Sequence, residues 1–153
     1  MQKFSALYAE FIGTFAMVFC GTAAMAVNET TGAVAHEGVA ITWGLIVMVM
    51  INAFGEQSGA HFNPAVTVSF ALANRFAWKK VPRYVFTQTL GAIAASMAVK
   101  ALLPESEVIG ATIPSISHMS AFWLELLLSF FLMLVILHIS TGSKEIGPVA
   151  GVA

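Results

Sequence analysis

Three residues in this 153-residue chain are of a type that does chemistry and stand in apolar surroundings: Asn63, Glu10 and Glu125. Asn63 belongs to the stretch SGAHFNPAVT, residues 58–67, directly before Pro64 and Ala65. Asn is a strong helix N-cap, and Pro suits the first helical position because its missing N–H would lack a partner there anyway. The helix that this pair starts stays apolar only over residues 64–73, about 16 Å, near half of a ~30 Å hydrocarbon core. Its chemistry would be solvation. The backbone carbonyls of Gly59, Ala60, His61 and Phe62 offer a ladder of acceptors, and the Asn63 amide offers a donor. The positive end of the half-helix dipole points at the same place. Such a lining replaces part of the hydration of a neutral hydrogen-bonding molecule while repelling cations.

Glu10 and Glu125 each lie inside an apolar run, where a carboxylate is costly unless it is paired or functional. One role is structural, accepting orphan backbone N–H groups of a re-entrant segment. The other is proton coupling in an active transporter. No His or Arg accompanies either glutamate at mid-span, which favours the scaffold.

The elements that hold these residues follow from composition. Hydrophobic residues make up 58% of the chain and charged residues 10%, against roughly 25% charged in a soluble domain. Mean hydropathy is +0.84. This describes an all-α integral membrane protein, and a net charge of −1 gives no reason to expect nucleic acid. Cys20 is the single cysteine and reads as a small packing residue. No cleavage pattern follows the first apolar stretch, which reads as a retained span.

Four stretches reach the ~20 residues a span needs: residues 4–27, 36–54, 82–103 and 120–140. Turn and cap residues at 28–32, 104–106 and 141–144 separate them, and small residues such as Gly13, Gly21, Gly44 and Gly91 let helices approach closely. With the N-terminus inside, Lys3, Arg75, Lys79, Lys80, Arg83 and Lys144 fall on the cytoplasmic side, and only Lys100 falls outside, where it would snorkel. Residues 55–81 must then leave and re-enter one face. The expected path takes residues 56–62 inward as extended chain and returns the half-helix to end near Asn74 and Arg75. Extended backbone at that depth is tolerated only beside water or inside protein.

The chain also echoes itself. Tyr8-Ala-Glu10 with Thr14-Phe15 matches Trp123-Leu-Glu125 with Ser129-Phe130, 115 residues later, and Gly38-Val39-Ala40 matches Gly151-Val152-Ala153. Three spans per repeat force the copies to insert in opposite directions, a recurrent plan in transport proteins. One transmembrane domain, 1–153, is expected, with a first repeat over 4–103 and the start of a second over 119–153. A second Asn-Pro element would fall near position 178, so the chain is expected to stop within its fifth span, short of a closed pore.

These motifs carry a resemblance. SGAHFNPAVT resembles the first asparagine-proline-alanine loop of the aquaporin and aquaglyceroporin (major intrinsic protein) channels. AEFIGTF, GVAITWGL and Gln88 with Gly91-Ala92 resemble other parts of the same family, and ITWGLIVMVMINAFG is most similar to its nodulin-like branch and bacterial relatives. The resemblance implies an inverted-repeat helical bundle, a homotetramer in the lipid bilayer, and a passive pore for water and small neutral solutes. It assigns Asn63, Pro64 and Ala65 to the pore motif, Gly59, Ala60, His61 and Phe62 to the carbonyl ladder, and Trp43 to an aromatic constriction. Trp at that position resembles glycerol-type pores, so glycerol and neutral metalloid acids such as boric or arsenous acid join water as expected solutes. Glu56 stands where plant members often have His. The short termini lean toward a bacterial inner membrane, with the N-terminus cytoplasmic.

Two other readings stay open at this point, a secondary transporter on inverted repeats and a non-conducting fragment. His36 and His118 read as interfacial, His138 as packed or solvated, and the Met residues as helix packing. No nucleophile–base pair, phosphate loop or metal-ligand spacing suggests an enzyme, cofactor or metal.

Overall fold

Apolar sequence in lipid must satisfy its backbone hydrogen bonds internally, and helices do this within one segment. The computed structural model describes residues 6–107 and 109–140. Among them are helices α1 (Ala6–Thr31), α2 (Ala35–Ser58), the short α3 (Pro64–Leu72), α4 (Val81–Leu102) and α5 (His118–Ile139), with a 3-10 turn at Trp78–Lys80. Four of these helices are long and apolar enough to cross a membrane. Lys3, Lys144 and the echo at 151–153 lie outside the described residues. The chain forms two compact units divided after Gly110. The first contains α1 to α4 and the second contains α5.

Within the first unit, α1 packs against both α2 and α4, and α3 packs against α4. The residues that α1 buries are small or polar: Ala9, Glu10, Gly13, Thr14, Gly21, Thr22 and Ala26. Large apolar side chains point the other way, with Ile41, Leu45, Phe86 and Met97 all exposed. Lipid supplies no hydrophobic force between helices, so close backbone approach and buried polar bonds hold this unit together. Gly91 marks the closest approach. A Cβ there would stand 2.7 Å from the Phe11 carbonyl oxygen and 3.3 Å from the Phe15 nitrogen.

The helix ends differ from the hydropathy reading in two places. The expected turn at 28–32 is helical through Thr31, because the Thr30 and Thr31 hydroxyls donate back to the Ala26 and Val27 carbonyls at 3.0 and 2.7 Å. Gly32, at φ 67°, then closes the helix. Similarly, α2 continues past Phe54 to Ser58 and is stopped by Gly59 at φ 87°, whose N–H donates to Gly55. Residues 56–58 are therefore helix, and the non-helical path covers only 59–63. Lys100 does not snorkel free. It donates to the Pro104 and Ser106 carbonyls at 3.3 and 3.1 Å, and Ser106 Oγ, fully buried, donates to Glu29 at 2.6 Å.

The second unit holds α5, capped by Ser117, whose side chain accepts the Ser120 N–H. Glu125 lies exposed on this helix, not buried as its apolar setting suggested. The described part of its unit contains no re-entrant N–H groups for the carboxylate to bind.

Gly91→Ala is expected to destabilise the chain by about 1–3 kcal/mol, since α4 must move off α1. Gly44→Ala, with nothing within 4 Å of its Cβ, is expected to stay within about 0.5 kcal/mol of wild type. Denaturant unfolding in mixed micelles compares the two.

Candidate functional site: a carboxylate-clamped re-entrant turn

The turn at 59–63 is built from the Glu10 side chain outward. Glu10 is fully buried. Its Oε1 accepts the His61 N–H at 3.0 Å, and its Oε2 accepts the Phe62 N–H at 2.8 Å. Gln88 on α4 donates its Nε2 to the same Oε2 at 2.7 Å and to Thr67 Oγ1 on α3 at 2.9 Å. One carboxylate from α1 and one amide from α4 thus fix the loop and the half-helix together. Charge-assisted bonds of this kind are about twice as strong as neutral ones.

The clamp determines where the carbonyls go. In a trans peptide the N–H and C=O point in opposite directions, and no cis peptide occurs among the described residues. With the His61 and Phe62 N–H groups turned to Glu10, the carbonyls of Ala60 and His61 must face away from α1. The Ala60 N–H is held by Ser58 Oγ at 3.0 Å, and the Ser58 carbonyl by Tyr84 OH at 3.0 Å. Phe62 departs from the expected ladder. Its carbonyl accepts the Thr14 hydroxyl at 3.1 Å, and its ring is buried against Gly13, where a Cβ would overlap it.

This arrangement requires strained backbone. Ala60 and Phe62 sit at φ 50° and 49°, in the left-handed region that costs a non-glycine residue roughly 1–2 kcal/mol. The surrounding bonds hold them there. The side chain of His61 is buried among aromatics, stacked on Phe70 at 4.7 Å and edge-on to Phe76 at 4.8 Å, with Nδ1 3.1 Å from Thr67 Oγ1. His61 thus turns its carbonyl away from α1 and its ring to the core.

Asn63 has extended backbone, φ −150° and ψ 130°, and its Oδ1 accepts the Ala65 N–H at 2.8 Å. Using the oxygen as the helix cap leaves the Nδ2 end as the outward donor. Asn63, Pro64 and Ala65 are exposed at the tip of α3. A cleft of about 240 Å³ beside them is lined by Thr14, Phe62, Asn63, Pro64 and Gln88 among others. The buried Gln88 Oε1 has no partner among the described residues.

Trp43 is not brought to this tip. It is half-buried over Gly21, where a Cβ would overlap the indole. Gly21 lies eight residues beyond Gly13 along α1, so the indole sits about 12 Å further along the helix axis than the Phe62 ring. Thr14, Thr67, Tyr84 and Gln88 were not singled out from sequence as parts of the turn. Their signal was a polar side chain inside an otherwise apolar helix.

Glu10→Gln removes the charge and sets one amide N–H₂ against N–H donors. A cost of about 2–4 kcal/mol in unfolding free energy is expected. Thr89→Ser, whose hydroxyl only returns to its own helix at Val85, is expected to change little.

The chain is 45% identical over 147 residues to "Aquaporin NIP1-3" and 43% identical over 148 residues to "Aquaporin NIP1-4", both of Oryza sativa subsp. japonica. These matches cover 95% and 96% of this chain but 51% and 54% of those proteins, so it spans about half their length. An aquaglyceroporin from Plasmodium falciparum, solved by X-ray, superposes with a TM-score of 0.80 at 33% identity, covering 95% of this chain and 67% of that one. The two Oryza relatives are plant proteins and give no support to the expected bacterial inner membrane; the chain is a multi-pass integral membrane protein. With the description "Major intrinsic protein" matching residues 1–153, the chain belongs to that family.

Proposed function

We propose that this chain forms part of the wall of a passive transmembrane pore for water and small uncharged solutes. The supporting observation is the Glu10 clamp, which turns the Ala60 and His61 carbonyls away from α1. A solute leaving bulk water meets those acceptors in sequence and then the Asn63 Nδ2 donor. The positive end of α3 disfavours cations at the same point. Gly59 extends the ladder toward the inner mouth, while Phe62 serves the scaffold. Glu10 is structural in this reading, and Glu125 fills the matching role in the second repeat.

Trp43 acts as the constriction wall on the outer side. A broad indole face suits a carbon backbone and leaves an N–H for a hydroxyl, so glycerol accompanies water, and boric or arsenous acid fits the same description. The chain works as part of a homotetramer with its N-terminus in the cytoplasm, its first repeat at 4–103 and its second starting at 119. A proton-coupled transporter fits less well, because both Glu10 oxygens already accept hydrogen bonds from buried donors.

Stopped-flow light scattering on proteoliposomes carrying the chain, alone and with a family member's C-terminal repeat co-expressed, tests the proposal. Water and glycerol flux should rise linearly with gradient and ignore an imposed proton gradient. Saturating, proton-driven flux would contradict it. Trp43→Ala is expected to reduce the discrimination between glycerol and bulkier neutral polyols severalfold in the same assay, by removing the indole wall.

A further inference from the structure

The inner end of α4 is crowded with cations. Lys79, Lys80 and Arg83 are all exposed within five residues, next to Trp78, which is 53% exposed. No Asp or Glu occurs between Glu56 and Glu105, and α4 has no acidic residue in its first turn and no side-chain cap. Three positive charges therefore sit at the positive end of a helix dipole, an unfavourable arrangement in isolation.

The face above them explains what relieves it. Arg83, Phe86, Leu90, Ile93 and Met97 follow three- and four-residue spacing and lie exposed along one side of α4. That side is charged at its foot and apolar along its length, the profile of an anionic phospholipid. Trp78 stands where an amphipathic ring belongs, at the boundary between headgroups and chains. Clusters of Lys and Arg next to a span attract anionic headgroups, at roughly fivefold in affinity per cation.

We propose that Lys79, Lys80 and Arg83, with Trp78, form a binding site for the headgroup of an anionic phospholipid whose acyl chains lie along Phe86, Leu90, Ile93 and Met97. The site is independent of what the pore passes. Its ligand is a membrane lipid and not a free anion, because the apolar stripe is continuous with the cations.

Native mass spectrometry of the full chain from detergent micelles tests it, using phosphatidylglycerol and phosphatidylcholine with identical acyl chains. Wild type should bind phosphatidylglycerol at least roughly tenfold more tightly, with the preference shrinking as salt rises. The triple variant Lys79→Gln, Lys80→Gln, Arg83→Gln should lose the preference while keeping its phosphatidylcholine affinity and helical circular dichroism. The charge-retaining variant Lys79→Arg, Lys80→Arg, Arg83→Lys should keep the preference and so controls for folding. Equal binding of both lipids by wild type, or an undiminished preference in the triple-Gln variant, would overturn the site. Full displacement of the lipid by millimolar inorganic phosphate would overturn it as well, since the stripe would then contribute nothing.

Discussion

A single carboxyl side chain organises the first unit of this protein. Glu10 gives its two oxygens to two consecutive peptide N–H groups, of His61 and Phe62, that lie 51 and 52 residues away in sequence. A non-helical turn inside a helical bundle would otherwise leave those donors buried and unbonded, each at about 1–3 kcal/mol. The carboxylate removes that penalty and, because peptides are planar, sets the direction of the opposite carbonyls. Structure and solvation chemistry are therefore two consequences of the same pair of bonds.

The rest of the unit serves this arrangement. Glycine at 91 lets α4 come close enough to α1 for Gln88 to reach Glu10, and glycine at 13 clears the space that the Phe62 ring occupies. Thr67 ties the half-helix in by accepting from Gln88 and donating to the Asn63 carbonyl. The face that α1 buries is made of small and polar residues, and many of the large apolar side chains of α2 and α4 face outward. This is the reverse of a soluble domain, and it suits a solvent that attracts apolar side chains as readily as other helices do.

Much of the plan was legible in the sequence because membrane spans obey simple length and polarity constraints. Asn63-Pro64 marked the start of the half-helix, and Asn74 and Arg75 marked its end. The helix ends at Thr31 and Ser58 were missed for a physical reason. Hydropathy falls at Asn28 and Gly55, but the hydrogen-bond ladder continues until a left-handed glycine stops it. The backbone of Ala60 and Phe62 was not legible at all, since no local preference produces it and only long-range bonds impose it. The His61 ring was unreadable for a similar reason: its box of Phe70, Phe76 and Tyr84 assembles from three separate segments. Glu125 repeats the sequence setting of Glu10, but among the described residues it lies exposed on α5.

Amide hydrogen exchange at His61 and Phe62, measured by NMR on the 15N-labelled chain in micelles, bears most directly on the role of Glu10. Both N–H groups should exchange as slowly as the amides in the middle of α1, despite lying outside any helix. Exchange at the rate of an unprotected loop would mean that the carboxylate does not hold them, and the orientation of the carbonyls would lose its cause.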